Sequence, residues 1–426
     1  MPVWIGVDDT DSRKGGCTTY VAAVLARRLE EIGAKILGYP RLIRLNPNCP
    51  YKTRGNAAIA LKVDAEAIDP LRKIAIEVVE EYSELEEGAE TGIAFLRGEP
   101  DERLRSFYWR AVRELIPLED AFRLAEEVGA ELVYYHDGRG VVGALAAIGA
   151  DLGSGKTYEL IAHRTRAYWG TVRRIDPASV FEMDRATRPY TFDNVDYEAG
   201  EIRIAPHTPC PVLLGIRGID PEAVKRAYEM LRILEPVEYV TIFETNQATD
   251  PHYRRLRIAD LRDGVSAIID GTVSEAPRTD AGGHVFFKLR DDAGEIYCAA
   301  YEPTKSFRKI VSKLIPGDEV TVFGAVKLKP QGLTLNLEKI LVKRLAERIV
   351  RRPPICPACG RRMKSLGRNK GYRCRVCGLK LGEDAAEVIK VRREIKPGFY
   401  EVPPSARRHL TKPLMLEGLL RDHQHR

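Results

Sequence analysis

Two short runs near the end of this chain, Cys356-Pro-Ala-Cys359-Gly and Cys374-Arg-Val-Cys377-Gly, restrict its fold more tightly than anything else in the sequence. Four thiolates within reach of one tetrahedral ion require two tight turns, and a glycine after each pair lets each turn reverse. The segment reads as a zinc ribbon in which Cys356, Cys359, Cys374 and Cys377 ligate a closed, structural Zn²⁺. Four unrelated thiols or an iron–sulfur site are the competing readings. The other cysteines, Cys17, Cys49, Cys210 and Cys298, stand singly and read as small apolar side chains rather than nucleophiles.

Charge is distributed unevenly. Residues 344–426 carry 21 Lys and Arg against 8 Asp and Glu, whereas the preceding residues carry 46 against 53. A basic module on an acidic body points to a polyanion held at one end, most economically a nucleic acid. Between the cysteine pairs lie Arg361, Arg362, Lys364, Arg368, Lys370, Tyr372 and Arg373, a basic loop with an aromatic inside it. Such a loop can neutralise phosphates and stack a base; alone, it would read as a solvated charge run.

With 426 residues and 44% hydrophobic content, the chain is long enough for several cores and too apolar to be disordered. It has no apolar run of membrane-spanning length, and acids follow its first residues, so a cytoplasmic location and no membrane partner are expected. The pattern predicts a strand at 3–7, a helix at 18–32, a strand at 57–63 and helices at 70–86, 102–115 and 118–128. A strand at 130–135 and a small-residue helix at 141–152 follow, and this alternation is that of α/β units. Residues 212–244 read as strand, helix and strand, part of a ferredoxin-like layer. From Ser266, three strands, a helix and two strands follow the order of an OB-fold, whose exposed face commonly takes single-stranded nucleic acid. The tail after Lys396 shows no periodicity.

Asp8-Asp9-Thr10-Asp11-Ser12 follows the first apolar strand. Three carboxylates in four residues repel unless a cation shares them, so the cluster reads either as an acidic turn or as a site for Mg²⁺ and ATP phosphates. The adjoining Gly15-Gly16-Cys17-Thr18-Thr19 opens a helix and favours the second reading. Its amides and hydroxyls could hold phosphate oxygens, and one threonine could accept a phosphoryl group or bind Mg²⁺. Gly153-Ser154-Gly155-Lys156-Thr157 only superficially resembles the end of a P-loop and reads as a turn. Lys52 and Arg54 stand beside a glycine just before a strand, and His136-Asp137-Gly138-Arg139-Gly140 ends one strand and begins a helix; both loops are candidates for polyphosphate. Phe243–Asp250 is a polar strand exit of the kind that lines active sites.

The segments GVDDTDSRKGGCTTY, RLNPNCPYKTRGNAA, HDGRGVVGALAAIG and FETNQATD, followed by an OB-like stretch and a Cys₄ ribbon, resemble the archaeal tRNA(Ile) agmatidine synthetase family over nearly the whole chain. The resemblance implies a multidomain α+β protein. An ATP-binding kinase-like domain is expected at 1–62 with 128–195, a ferredoxin-like domain at 63–127 with 196–262, an OB-fold at 263–345, the ribbon at 346–395 and a tail at 396–426. It implies an ATP-dependent ligase, producing AMP and diphosphate, that replaces the C2 oxo group of the wobble cytidine of CAU-anticodon tRNA(Ile) with agmatine through a phosphorylated cytidine. Phosphorylation supplies a leaving group where oxide cannot leave. Carried onto this chain, the family pattern puts Asp8, Asp9 and Asp11 on Mg²⁺ and Thr18 at the transferred phosphoryl group, as catalytic residues. Thr10, Ser12, Gly15, Gly16, Thr19, Lys52, Arg54, Gly138, Arg139 and Gly140 would bind ATP and its phosphates. Glu244, Asn246 and Asp250 are candidates for holding agmatine, and the ribbon's basic loop for gripping tRNA. No obligate protein partner is evident. The rival readings are a non-catalytic single-strand-binding protein, a tRNA-modifying enzyme using another amine such as lysine, and a small-molecule kinase.

Overall fold

The computed structural model describes residues 1–153 and 155–419; the end of the expected tail lies outside them. In β1 (Pro2–Asp8), Val3, Ile5 and Val7 face one way and Trp4 and Gly6 the other, and all five are buried. A strand apolar on both faces needs a layer on each side. The face of Val3, Ile5 and Val7 packs with α1 (Thr18–Glu31) and α2 (Asp69–Tyr82). The face of Trp4 packs with α3 (Glu102–Arg113), α4 (Leu118–Val128) and α5 (Gly140–Ile148).

Four longer strands join β1 in this half, β2 (Arg41–Arg44), β3 (Ala57–Asp64), β4 (Gly92–Arg97) and β5 (Glu131–Tyr134), and the two-residue strand Lys35–Ile36 pairs beside β3. The next unit contributes β6 (Thr157–Arg164), α6 (Pro177–Thr187), β7 (Val212–Gly218), α7 (Pro221–Glu229) and β8 (Val237–Thr245). One sheet runs through both in the order β5-β4-β1-β3-β2-β8-β6-β7. Its pairs are antiparallel except at the seam, where β8 lies parallel to β2 with Glu244 opposite Arg41. Helices and strands alternate in sequence as expected, but alternation does not fix direction: the chain enters β3 and β4, the two neighbours of β1, from the opposite end of the sheet.

The expected helices hold their starts to within a residue, and 118–128 holds its end as well, but 70–86 stops at Tyr82 and 141–152 at Ile148. Strand β6 and helix α6 add to the pattern read from the sequence. Gly153 sits in a turn, Thr157 begins β6, and Lys156 pairs with Glu244 at 2.6 Å instead of facing a phosphate site.

The OB barrel is formed by β9 (Ser266–Thr279), β10 (Val285–Arg290), β11 (Glu295–Ala300), α8 (Ser306–Val311), β12 (Glu319–Lys329) and β13 (Gly332–Arg344). The order β9-β10-β11-β13-β12 closes because β12 pairs back with β9, leaving one sealed apolar interior. Two strands, β14 (Arg348–Arg352) and β15 (Glu387–Val391), pair as a stalk on either side of the ribbon. Beyond the ribbon, β16 (Gly398–Glu401) adds to the barrel beside β13. The tail then returns to the N-terminal half, where Ala248 N–H donates to His409 O at 2.8 Å and Asp250 N–H to Leu410 O at 2.9 Å. An extended strap that bonds to distant backbone needs no hydrophobic period, which is why the sequence shows none.

Candidate active site and cysteine ribbon

The acidic turn projects from the end of β1 because α5 lies directly on that strand. A Cβ on Gly6 would sit 2.2 Å from Ala144 O, one on Gly92 would sit 2.1 Å from Val141 N, and one on Gly143 would sit 1.8 Å from Asp8 Oδ2. Only glycine permits this backbone approach, and it brings the first turn of α5 against the Asp8 carboxylate. Asp9 then takes a left-handed conformation, φ 56°. That strain is held by Thr91 Oγ1, which donates to Asp9 O at 2.7 Å, and by the Glu90 amide on Asp9 Oδ2 at 3.3 Å.

The three carboxylates differ in their partners. Asp11 pairs with Arg54 at 2.9 Å. Among the described residues, Asp8 and Asp9 have no cation at ion-pair distance. Burial, and then the neighbouring carboxylates, push Asp8 well above the usual range and Asp9 up to about 6. Burial also raises Asp11, although Arg54 opposes it. Half-buried oxygen donors short of positive charge are the donor type that a hard cation takes, although among the described residues only the four ribbon cysteines gather their ligand atoms within 4.8 Å of one another.

Beside the acids, Thr10 Oγ1 donates to Thr18 Oγ1 at 3.1 Å, leaving the Thr18 proton free. Asp8, Asp9, Asp11, Thr18, Thr19, Lys52, Arg54, Arg139 and Gly140 all line one cavity of about 700 Å³. This is a volume suited to a nucleotide or an extruded base. Thr10, Ser12, Gly15, Gly16 and Gly138 do not line it. Arg54 spends its guanidinium on the loop itself, donating to Asp11 Oδ2, Gly16 O, Ser12 O and Gly15 O at 2.8–2.9 Å. It therefore shapes the loop that presents the aspartates. Arg139 lies over the Tyr51 ring at 4.8 Å and remains the cation closest in effect to Asp8 and Asp9.

The residues expected to hold agmatine do not face this cavity. Glu244 is engaged by Lys156. Asn246 staples the β2–β8 seam, accepting from Arg44 N–H and donating to Arg44 O, both at 2.9 Å. Asp250 receives the Lys339 ammonium, and Lys412 N–H at 2.7 Å, anchoring the tail. A polar strand exit is equally useful as a joint between domains, and here it is one.

The other cavity wall has no signature in the sequence. Arg44, Glu159 and Arg217 form a chain of contacts at 3.6 and 3.5 Å, and Arg408, His409 and Leu410 of the tail close the cavity above them. These residues lie on separate strands and a strap, so no local spacing marks them. Cys17, Cys49 and Cys210 also line the cavity, while Cys298 is buried in the barrel. Burial pushes the Cys17 thiol up to about 11, which keeps it protonated.

In the ribbon, Cys356, Cys359, Cys374 and Cys377 gather with all four sulfurs within 4.8 Å of one another. Gly360 and Gly378, at φ 67° and 79°, donate N–H to Cys356 O and Cys374 O and form the two knuckles that the spacing requires. Four sulfurs at tetrahedral reach with no other donor suit Zn²⁺. Arg361, Arg362, Lys364, Arg368, Lys370 and Arg373 are exposed, but Tyr372 packs beside the cysteines and offers little of its ring to a base. Arg362 is also paired with Glu387 at 2.8 Å.

A nucleotide-sized cavity with a carboxylate cluster at one wall and arginines at the other, in a chain with an OB barrel and a basic Cys₄ ribbon, defines an enzyme class that acts on nucleic acid with a nucleotide. Comparison with known proteins narrows this. Family profiles match the TiaS TCKD domain at residues 4–137, the TiaS FLD domain at 138–252, an OB-fold nucleic acid binding domain at 267–342 and the TiaS C-terminal zinc ribbon domain at 353–395. The isoleucine-tRNA 2-agmatinylcytidine synthetase TiaS of Methanocaldococcus jannaschii is 44% identical over 427 residues, covering 98% of this chain and 99% of that protein. A crystal structure of TiaS in complex with its isoleucine tRNA and ATP superposes with a TM-score of 0.89 at 42% identity. A complex of TiaS with the same tRNA, AMPCPP and agmatine does so at 0.86 and 40%; each match covers 97% of both chains. The chain belongs to the TiaS family.

Proposed function

We propose that this protein is an ATP-dependent tRNA(Ile) agmatidine synthetase, replacing the C2 oxygen of the wobble cytidine with agmatine by way of a phosphorylated base. One observation carries the reading within the structure: the unpaired carboxylates of Asp8 and Asp9 face the same cavity as the Thr18 hydroxyl, in a chain that matches the synthetases end to end. Asp8, Asp9 and Asp11 would hold Mg²⁺, which when bound supplies charge neutralisation for the phosphates. Thr18, whose oxygen accepts from Thr10, keeps its own proton for the phosphoryl group or for a neighbouring carboxylate. Lys52 and Arg139 reach the cavity from two loops and oppose the charge that develops as phosphorus–oxygen bonds break. Arg54 keeps the loop of residues 11–16 in shape.

The cytidine must leave its stack to enter. The OB barrel and the ribbon's arginines would hold the surrounding tRNA, with Zn²⁺ on Cys356, Cys359, Cys374 and Cys377 keeping the ribbon folded. No described helix is long and apolar enough to cross a membrane, and we place the enzyme with its tRNA in the cytoplasm. The test is incubation of the protein with ATP, labelled agmatine and CAU-anticodon tRNA(Ile) transcript, followed by nucleoside analysis. Agmatidine at the wobble position is expected. Transcript binding without label incorporation would favour a non-catalytic binder, and incorporation of lysine in preference would overturn the choice of amine.

A further inference from the structure

His163, on strand β6 between β8 and β7, is fully buried, and its Nε2 lies 3.1 Å from Thr19 Oγ1, a hydroxyl that lines the cavity one residue beyond Thr18. Its other nitrogen, Nδ1, is buried without a partner. The ring meets Tyr20 edge-on at 5.5 Å, and across the sheet it lies opposite Val212 and Tyr239. Among the described residues no charged partner faces it, and burial alone drives its pKa down to about 3, so the ring is neutral whenever the enzyme works.

A neutral imidazole carries one N–H. If Nδ1 carried it, a buried donor would be orphaned, whereas an orphaned acceptor is the better tolerated fault. The proton therefore belongs on Nε2, which donates to Thr19 Oγ1. The hydroxyl then has its acceptor capacity engaged from the protein side and its proton left to give. The nearest protein acceptor for that proton is Cys17 Sγ at 3.0 Å, a weak one. A phosphate oxygen in the cavity is far stronger.

We propose that His163 is a positioning residue that holds Thr19 as a hydrogen-bond donor to a phosphate oxygen of the bound nucleotide, assigning Thr19 to anion binding and not to the metal. This rests on the reading of the cavity as the nucleotide site. The pairing fits the local sequence: Thr19 is in the first turn of α1, where a hydroxyl donor adds to the amides that a helix start leaves unbonded.

Steady-state kinetics of the full-length enzyme with its tRNA test the assignment through His163→Leu, His163→Gln, Thr19→Val and the His163→Leu/Thr19→Val double variant. Glutamine places an amide N–H near the position of Nε2. His163→Leu is expected to raise KM for ATP roughly tenfold with a smaller change in kcat, and His163→Gln to recover most of that loss. The double variant should be no worse than Thr19→Val alone. An unchanged KM in His163→Leu, failure of His163→Gln to recover it, or multiplying single effects would overturn the inference. Should His163→Leu not fold, a normal KM for His163→Gln beside a raised one for Thr19→Val supports the assignment, and a raised KM in both overturns it. If instead calorimetry detects no ATP binding to the unaltered enzyme, it is the nucleotide site that fails, and this inference fails with it.

Discussion

The cavity draws its walls from residues as distant in sequence as Asp8 and Leu410, whereas the ribbon closes its sulfur cluster between Cys356 and Cys377. The cavity is backed by two apolar layers on a shared sheet, so its polar groups are fixed by packing that would survive without any ligand. The ribbon's apolar cluster has three buried members, Cys356, Met363 and Cys374, with four partly buried ones around them. That core is too small to hold a fold, and a metal must supply the difference. The two regions should therefore fail differently: the cavity residue by residue, the ribbon all at once.

The largest expected effect is at the acidic turn. Asp8→Ala should reduce agmatine incorporation by on the order of 10³-fold while tRNA binding persists. Gly143→Val should approach that loss with every carboxylate still present, because its new Cβ would lie where Asp8 Oδ2 now sits, 1.8 Å away. Incorporation and filter-binding assays on both variants check this; an active Gly143→Val enzyme would refute the contact between α5 and the turn. Next comes the ribbon. Cys374→Ser, or removal of zinc by a chelator, should weaken tRNA binding roughly tenfold or more through lost phosphate contacts, with ATP affinity unaltered. Equal tRNA affinity with and without metal would show that the grip lies elsewhere. Smaller again, Arg54→Ala should cost about tenfold in kcat, and Arg54→Lys should not restore it, since one ammonium cannot reach four acceptors spread over residues 11–16. Full activity in the lysine variant would contradict the shaping role.

These two regions also mark what can be read from the letters. The ribbon is legible because its determinants, two cysteine pairs and two glycines at positive φ, are local. The acidic turn and Thr18 are legible for the same reason: strand end, loop and helix start occupy consecutive residues. The basic wall is not. Arg44, Glu159 and Arg217 meet only because β2, β8, β6 and β7 lie side by side, and that order includes one parallel seam no periodicity announces. Asn246 and Asp250 show what a strand exit hides: the seam and the tail that engage these polar residues lie far away in sequence. Tyr372 is partly buried beside the cysteines, because a ribbon this small takes its core from any ring at hand.

The smallest expected effect is one of stability, and it separates the regions most cleanly. Asp9 has its pKa raised from 3.8 to about 6, so between those values the folded protein holds a proton that the unfolded chain has released. Stability therefore falls as pH rises through that window, and above about 6 the full penalty remains. Asp9→Asn removes the charge, and at pH 7 without metal the variant should be more stable by about 1 kcal/mol, a figure reduced to allow for solvent reaching the cavity. Mg²⁺ should raise the melting temperature of the unaltered protein more at pH 7 than at pH 5, and do so much less in Asp9→Asn. Thermal melts at the two pH values, with and without Mg²⁺, decide it: a variant no more stable than the parent at pH 7 would mean that the acidic turn stores no repulsion for a cation to relieve. In the ribbon the sign is reversed. Removing a ligand there can only destabilise, because its thiolates are what the fold is built around.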